Sequence, residues 1–119
     1  MILNRKYTAV VNFDKMHYDI QVKDLYQFLR KNLEKLAHDL QPIVIVGGAG
    51  VTDGVISMVD NSLAAHELIK VKFNEYKDEI RDLTTELCEK TDATLVRIIG
   101  FTVILFREAE EEEDRKIKL

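Results

Sequence analysis

The segment from Val46 to Val55, VGGAGVTDGV, joins an apolar run to an amphipathic stretch, and it decides how the chain is interpreted. Four of its ten residues are glycine, which lets a backbone turn sharply or approach a ligand closely. A turn between a strand and the amino end of a helix often holds a phosphate, because free N–H groups point outward there. The segment therefore predicts a strand–turn–helix unit and raises the question of which phosphate, if any, it binds.

Two nucleotide-binding motifs fit the segment poorly. The dinucleotide fingerprint G-x-G-x-x-G finds its first two glycines in Gly48 and Gly50, but Asp53 stands at the third position. A P-loop needs a lysine after its last glycine, and no lysine follows a glycine here. What remains is a G-x-x-G turn, Gly47 to Gly50. It either grips a nucleic-acid backbone, as in KH domains, or is a tight turn that binds nothing.

Hydrophobic periodicity predicts the elements on both sides of this turn. Before it, apolar residues recur at helical spacing, and they are Leu25, Phe28, Leu29, Leu33, Leu36, Ala37 and Leu40. Pro42 follows the end of that helix, and IVIV at 43–46 predicts a buried strand. After the turn, Thr52 or Asp53 can cap a second helix. The inner face of this helix is formed by Val55, Ile56, Val59 and Leu63.

The second half of the chain predicts a strand, a helix and a hairpin. In ELIKVKF, residues 67–73, alternation places Lys70 and Lys72 on the face opposite Ile69, Val71 and Phe73. A third helix from about Tyr76 to Lys90 turns four residues inward, namely Ile80, Leu83, Leu87 and Cys88. TLVRII and TVILFR then form two strands joined by a tight turn at Gly100–Phe101.

The predicted order is helix, strand, helix, strand, helix, strand, strand. It gives one compact α/β domain, in a two-layer α+β form, with a four-stranded mixed sheet. Residues 1–22 are an N-terminal extension whose order the sequence leaves open, and residues 23–107 are the domain. Residues 108–119 are a charged acidic tail, for which we expect a solvated or disordered state.

Composition narrows the class of protein. A chain of 119 residues with 46% hydrophobic residues fits one domain, and a single cysteine, Cys88, excludes an intrachain disulfide. No apolar run approaches the ~20 residues of a membrane span, so we expect a cytoplasmic protein without a membrane partner. His38 and His66 are expected at helix ends, because no CxxC, HxxxH or HExxH pattern is present. We therefore predict no catalytic residue, no metal and no cofactor.

The excess of acidic over basic residues is concentrated near the C-terminal end of the sequence. The net charge is −4, but six of the 21 acids lie in Glu108–Asp114, so residues 1–107 carry 15 acids against 14 bases. A nearly neutral body can still carry a local basic face, although it lacks the strong field of a dedicated nucleic-acid binder.

Four stretches together resemble one known family. They are LAHDLQPIV (36–44), the G-x-x-G turn followed by VTDGVI, HELIKVK (66–72) and IIGFTVILFRE (98–108). Their order and spacing over roughly residues 23–107 are similar to those of the YhbY-like CRM (chloroplast RNA splicing and ribosome maturation) domain. The resemblance implies a fold similar to the C-terminal domain of bacterial translation initiation factor three. It also implies a non-enzymatic protein that binds structured RNA, as the stand-alone bacterial members do with precursors of the large ribosomal subunit.

The resemblance also implies where RNA is bound, and no DNA partner is expected. The expected contacts are the turn, the start of the second helix and a basic surface on the first helix and second strand, namely Gly47, Gly48, Ala49, Gly50, Thr52, Arg30, Lys31, Lys35, Lys70 and Lys72. The basic stripe on the first helix is expected beside the turn. Arg97 and Arg107 are weaker candidates.

Four positions depart from the family pattern. Gly48 and Ala49 stand where the family usually has a basic or polar pair, so the turn offers only backbone N–H groups. Phe101 replaces a frequent basic residue after Gly100, and an aromatic side chain there can stack on a base. Asp92 stands where the family commonly has glycine in a left-handed turn.

Two alternatives remain open from the sequence. A protein-interaction module that kept the fold and lost RNA affinity is consistent with the neutral turn, Phe101 and the acidic tail. A nucleotide-dependent enzyme is supported by the glycines alone. Binding at low salt and thermal shifts with nucleotides distinguish these from the RNA-binding hypothesis.

Overall fold

Three helices and four strands follow one another in the predicted order. The computed structural model describes residues 20–117, with side chains from residue 26 onward. The elements are α1 (Ile20–Ala37), β1 (Pro42–Val46), α2 (Asp53–His66), β2 (Leu68–Phe73), α3 (Ile80–Thr91), β3 (Thr94–Ile99), β4 (Thr102–Phe106) and a final 3-10 turn (Glu112–Asp114). Most of the predicted N-terminal extension lies outside the described residues, and its last residues, from Ile20, begin α1.

The sheet is mixed, as predicted, with the strand order β1-β2-β4-β3. The pair β1–β2 is parallel, and the pairs β2–β4 and β3–β4 are antiparallel. The predicted hairpin is confirmed, because Gly100 follows β3 with a φ of 60° and β4 begins two residues later. A positive φ at the first of two central residues suits glycine and matches the twist of adjoining strands.

Helices cover both faces of the sheet, so the fold has three layers where two were predicted. One face packs against α2 and α3, with a core of Val44, Val46, Val59, Leu63, Ile69, Val71, Phe73, Leu87, Val103 and Leu105. The opposite face packs against α1, with a core of Leu29, Leu33, Ala37, Leu68, Val96, Ile104 and Phe106. Residues 103–106 of β4 are all buried, because this central strand is covered on both faces.

The ends of the helices follow the capping residues that the sequence predicted, except at the start of α3. The hydroxyl of Thr52 accepts a hydrogen bond from the N–H of Val55 at 3.1 Å and caps α2. Asp92 ends α3 in the left-handed conformation, at a φ of 56°. However, α3 begins at Ile80 and not near Tyr76, which has a φ of 59° that no helical residue adopts. In addition, three residues of the predicted apolar stripe are exposed, namely Phe28, Leu36 and Leu40.

The acidic tail is folded onto the domain as far as residue 117, which corrects the expectation of a solvated tail. Its backbone is held by Glu67, a residue only 1% exposed. One carboxylate oxygen of Glu67 accepts from the N–H of Ala109 at 2.8 Å, and the other accepts from Lys116 at 2.5 Å and Ile117 at 3.0 Å. Arg115 also pairs with Glu108 at 2.9 Å. The acidic side chains of the 3-10 turn remain exposed, so backbone contacts hold the segment despite its charge.

Candidate functional site

Three loops meet at one end of the sheet, where β1 and β2 finish and the β3–β4 hairpin turns. The N–H of Asn74 donates to the carbonyl of Val46 at 3.0 Å, and the N–H of Phe73 donates to the carbonyl of Phe101 at 2.7 Å. We call the surface formed by residues 47–52, 74–77 and 100–101 the loop end. These hydrogen bonds fix the loops relative to one another, so the loop end is a single surface.

Three carbonyl groups of the glycine turn accept hydrogen bonds within the protein, while three of its N–H groups find no acceptor among the described residues. Gly50 donates to the carbonyl of Gly47 at 3.0 Å, and Thr52 donates to the carbonyl of Gly50 at 3.1 Å. The carbonyl of Gly48 accepts from the hydroxyl of Tyr76 at 2.6 Å. Within residues 20–117, the N–H groups of Gly48, Ala49 and Val51 have no acceptor. Within the same residues the carbonyls of Ala49 and Val51 also have no donor, so the turn presents three unbonded N–H groups beside two unbonded carbonyls. Adjacent N–H donors of this kind are an arrangement that attracts an anion.

The amino end of α2 adds to this donor surface. The N–H groups of Asp53 and Gly54 belong to the first turn, where no helical acceptor exists, and they carry part of the positive end of the helix dipole. Thr52 orients this end, although its hydroxyl oxygen is engaged by Val55. The carboxylate of Asp53 is exposed beside these donors and limits the net positive potential.

The positions of the turn differ in whether the structure requires glycine there. Gly50 has a φ of 76°, a conformation that side chains strain, and a Cβ there would lie 3.6 Å from the ring of Tyr76. A Cβ at Gly47 or Gly48 would meet nothing within 4 Å. The protein itself therefore requires only Gly50, whereas the open space over Gly47 and Gly48 allows a ligand to approach the backbone.

Sequence reasoning missed Tyr76, which is the side chain that completes the turn. Its left-handed backbone and its position 28 residues after Gly48 leave no local signal. The ring supports Gly50, and the hydroxyl holds the Gly48 carbonyl. Tyr76 thus fixes which way the peptide groups of the turn point.

The two predicted lysines of β2 lie on the face opposite Ile69, Val71 and Phe73, as the alternation predicted, and this is the face that α1 partly covers. The two lysines make different contacts. The ammonium of Lys70 donates to the carbonyl of His38 at 3.2 Å, just beyond the end of α1. Lys72 is exposed one step nearer the loop end, and within residues 20–117 it makes no ion pair. Lys72 is therefore the predicted cation that the structure places next to the turn and leaves available.

The basic residues of α1 do not lie beside the turn, which corrects that prediction. Helix α1 packs against Leu68, Val96 and Phe106, at the end of the sheet where β2 begins, and the turn follows the other end of β1. Lys31 and Lys35 are exposed on the side of the helix away from the sheet.

Three arginines pair with acidic side chains of the same chain, and two of them do so at the surface. Arg30 lies 3.7 Å from Glu34, which also pairs with Arg97 at 3.4 Å. The guanidinium of Arg107 donates to the side chain of Asp60 at 2.6 Å and to the carbonyl of Thr91 at 2.7 Å. Arg107 thereby links β4 to α2 and α3 and has a structural role.

The cysteine and the two described histidines could in principle act in catalysis or bind a metal, but they lie at positions that serve the fold. Burial and, secondly, the charge of Glu89 raise the pKa of the Cys88 thiol to about 11, so it stays protonated at neutral pH. His38 follows α1 and His66 ends α2, as predicted. Within the described part of the chain, no group of three or more His, Cys, Asp or Glu side chains could hold a metal ion. None of the described helices has the length and hydropathy to cross a bilayer.

Comparison with known proteins gives consistent results. The family model for the CRS1 / YhbY (CRM) domain matches residues 25–107. A Haemophilus influenzae protein named RNA-binding protein is 41% identical over 80 residues, which cover 66% of this chain and 81% of that protein. The Probable RNA-binding protein PA4753 of Pseudomonas aeruginosa is 37% identical over 84 residues, 70% of this chain and 81% of that protein.

The fold also has a solved counterpart. The solution structure of SAV1595 from Staphylococcus aureus, described as a candidate RNA-binding protein, superposes with a TM-score of 0.63 at 31% identity. The match covers 75% of this chain and 94% of that one. The similarity therefore extends over nearly the whole of the solved domain.

Proposed function

Because the chain belongs to the CRS1 / YhbY (CRM) domain family, we propose that it binds RNA through the loop end of its sheet. The observation that carries the proposal is the glycine turn, in which three N–H groups have no acceptor among residues 20–117 and three carbonyl groups are bound internally. The names of the related proteins as RNA-binding support the same ligand. A group of free N–H donors at the amino end of a helix fits a phosphate group of the RNA backbone.

The mechanism is recognition of the backbone and shape of the RNA. The N–H groups of Gly48, Ala49 and Val51 and the amino end of α2 hold one phosphate, and Lys72 attracts a neighbouring one. The open space over Gly47 and Gly48 lets the backbone come close. Such contacts fix position and register but do not read base identity. The proposal therefore fits a structured RNA recognised by its shape, and it needs no covalent step and no cofactor.

We extend the proposal to ribosomal RNA of the large subunit or its precursor particle, on the strength of the family resemblance. In this role the protein acts as an assembly factor in the cytoplasm. In this proposal the remaining basic residues have a secondary role in RNA binding. Lys31 and Lys35 would contact only an RNA long enough to reach the outer side of α1, and Arg30 and Lys70 mainly hold internal partners.

A salt titration with a structured fragment of large-subunit RNA tests the proposal. Affinity should fall steeply with salt, because bound cations release counterions from the RNA. The variant Lys72→Gln should lower the slope of log affinity against log salt by about one, and with a short RNA hairpin the matched variant Lys31→Gln should leave it unchanged. Absence of binding at low salt would refute the proposal and favour a protein-interaction module.

The variant Tyr76→Phe tests whether the orientation of the turn matters. Removing the hydroxyl frees the Gly48 carbonyl, so an acceptor competes with the donors that hold the phosphate. We expect RNA affinity to fall about 5- to 10-fold, the effect of one hydrogen bond of about 1 kcal/mol or slightly more. The salt slope should not change, because no charge is lost. An unchanged affinity with an unchanged melting temperature would show that the hydroxyl does not position the turn.

A further inference from the structure

The sheet carries a row of four side chains that α1 leaves uncovered. Strand register aligns Ile45 with Lys72, Lys72 with Thr102, and Thr102 with Ile99, and all four lie on the α1 side. We call these four residues the open row. Ile45 is 54% exposed and Ile99 is 52% exposed. At the centre of the next row Ile104 is buried in the cluster that contains α1, so the helix cover over the middle of the sheet ends before the open row.

Phe101 extends the open row into the loop end. It directly precedes Thr102 and is 47% exposed in the two-residue turn of the hairpin. The ammonium of Lys77 lies 4.4 Å from the centroid of its ring. The carbonyl of Phe101 accepts from Phe73, the neighbour of Lys72. An exposed aromatic ring, apolar side chains and two lysines are thus collected beside the donor-rich turn.

We propose that this surface binds unpaired nucleotides of the RNA, with one base stacked on Phe101 and adjacent bases over the open row. Aromatic rings flanked by cations are the common means of holding single-stranded nucleic acid, because every base has a flat apolar face and a charged phosphate. The open row is about 14 Å wide at ordinary strand spacing, enough for more than one base. The inference rests on the proposed function and specifies it: a single-stranded segment lies next to the phosphate held at the turn.

Charge complementarity favours RNA over a protein as the occupant. Lys72 stands at the centre of the open row without an ion pair in the described part of the chain, and no acidic residue lies in that row. A buried protein interface would have to desolvate this lysine, whereas an RNA segment supplies a phosphate to it while its bases cover Ile45 and Ile99.

The variant Phe101→Trp provides a direct probe, because the chain contains no tryptophan. We expect its fluorescence to be quenched by stacking when a single-stranded oligoribonucleotide binds, with affinity kept or raised. The matched control is Phe28→Trp, at a 60% exposed position on α1, which should bind equally and show no quenching. In parallel, Phe101→Ala should weaken binding of the single strand roughly 5- to 150-fold, the range for one stacked base.

The outcomes separate this inference from the proposed function. Binding of labelled RNA to the unmodified chain is measured separately by fluorescence anisotropy. If the unmodified chain does not bind RNA, the proposed function itself is refuted. Normal RNA binding with an unquenched Phe101→Trp variant, or equal quenching in both tryptophan variants, overturns the stacking site alone. Equal weakening of duplex and single-stranded RNA by Phe101→Ala would also overturn it. Stable binding of the open row to a protein that RNA does not displace would assign the surface to a protein partner.

Discussion

Replacing Gly48 and Ala49 together by aspartate should reduce RNA affinity at least about 100-fold while the domain stays folded. Like charges 4 Å apart repel by about 1 kcal/mol in water and about 4 kcal/mol near a protein surface. Two carboxylates at the proposed phosphate position therefore oppose binding by several kcal/mol. The fold should tolerate them, because a Cβ at Gly48 meets nothing within 4 Å and Ala49 is exposed. Anisotropy with labelled RNA measures the loss, and a thermal melt checks the fold.

The control for this pair is Gly48→Asn with Ala49→Asn, which has the same shape without charge. It should keep most of the affinity if repulsion is the cause. The single variant Ala49→Lys should bind more tightly and with a steeper salt dependence, since it adds one cation beside the turn. Affinity unchanged in the aspartate pair, or lost equally in the asparagine pair, would contradict a phosphate site at the turn.

Replacing Glu67 by alanine should lower the free energy of unfolding by about 3–5 kcal/mol. Three backbone N–H groups, of Ala109, Lys116 and Ile117, lose their acceptor. Hydrogen bonds to a charged group contribute about 1.5–3 kcal/mol each, and part of the loss is recovered when water reaches the released tail. The melting temperature should fall by about 10–20 °C, which calorimetry measures.

Two further variants define the role of Glu67. Glu67→Gln keeps the size and one acceptor oxygen, but its NH2 group faces an N–H donor. The loss of stability should therefore lie between that of Glu67→Ala and zero. Glu113→Ala removes an exposed acid of the same tail and should have almost no effect. Limited proteolysis should cut the tail sooner in Glu67→Ala than in either of these. A melting temperature within a few degrees of the parent for Glu67→Ala would show that the carboxylate does not hold the tail.

The order and faces of the elements could be predicted because they depend on local patterns. Alternation in β2 placed Lys70 and Lys72 correctly, and the hydroxyl of Thr52 capped α2 as its position suggested. The layer that α1 adds was not predicted, although the unbroken apolar run of β4 indicates a strand covered on both faces. The tail was judged from its charge, whereas its position is determined by backbone N–H groups that composition does not show.

The candidate site was predictable only where it is contiguous in sequence. The glycine turn and the cap of α2 lie within a few residues of each other, and resemblance to a family identified them. The residue that orients the turn, and the residues that pair with the predicted cations, lie far along the chain from their partners. Tyr76 reaches Gly48, Lys70 reaches His38, and Glu34 pairs with Arg97. Such pairs depend on the three-dimensional fold, and no local pattern contains them.

An NMR titration of the 15N-labelled chain with a structured fragment of large-subunit RNA tests the central claim most directly. It observes the N–H groups that the proposal assigns to the phosphate. We predict saturable shifts of the amide resonances of Gly48, Ala49, Val51 and Gly54, with smaller shifts on the outer side of α1. Saturable binding that shifts the resonances of α1 or the acidic tail, and leaves those of the glycine turn unchanged, would contradict the claim.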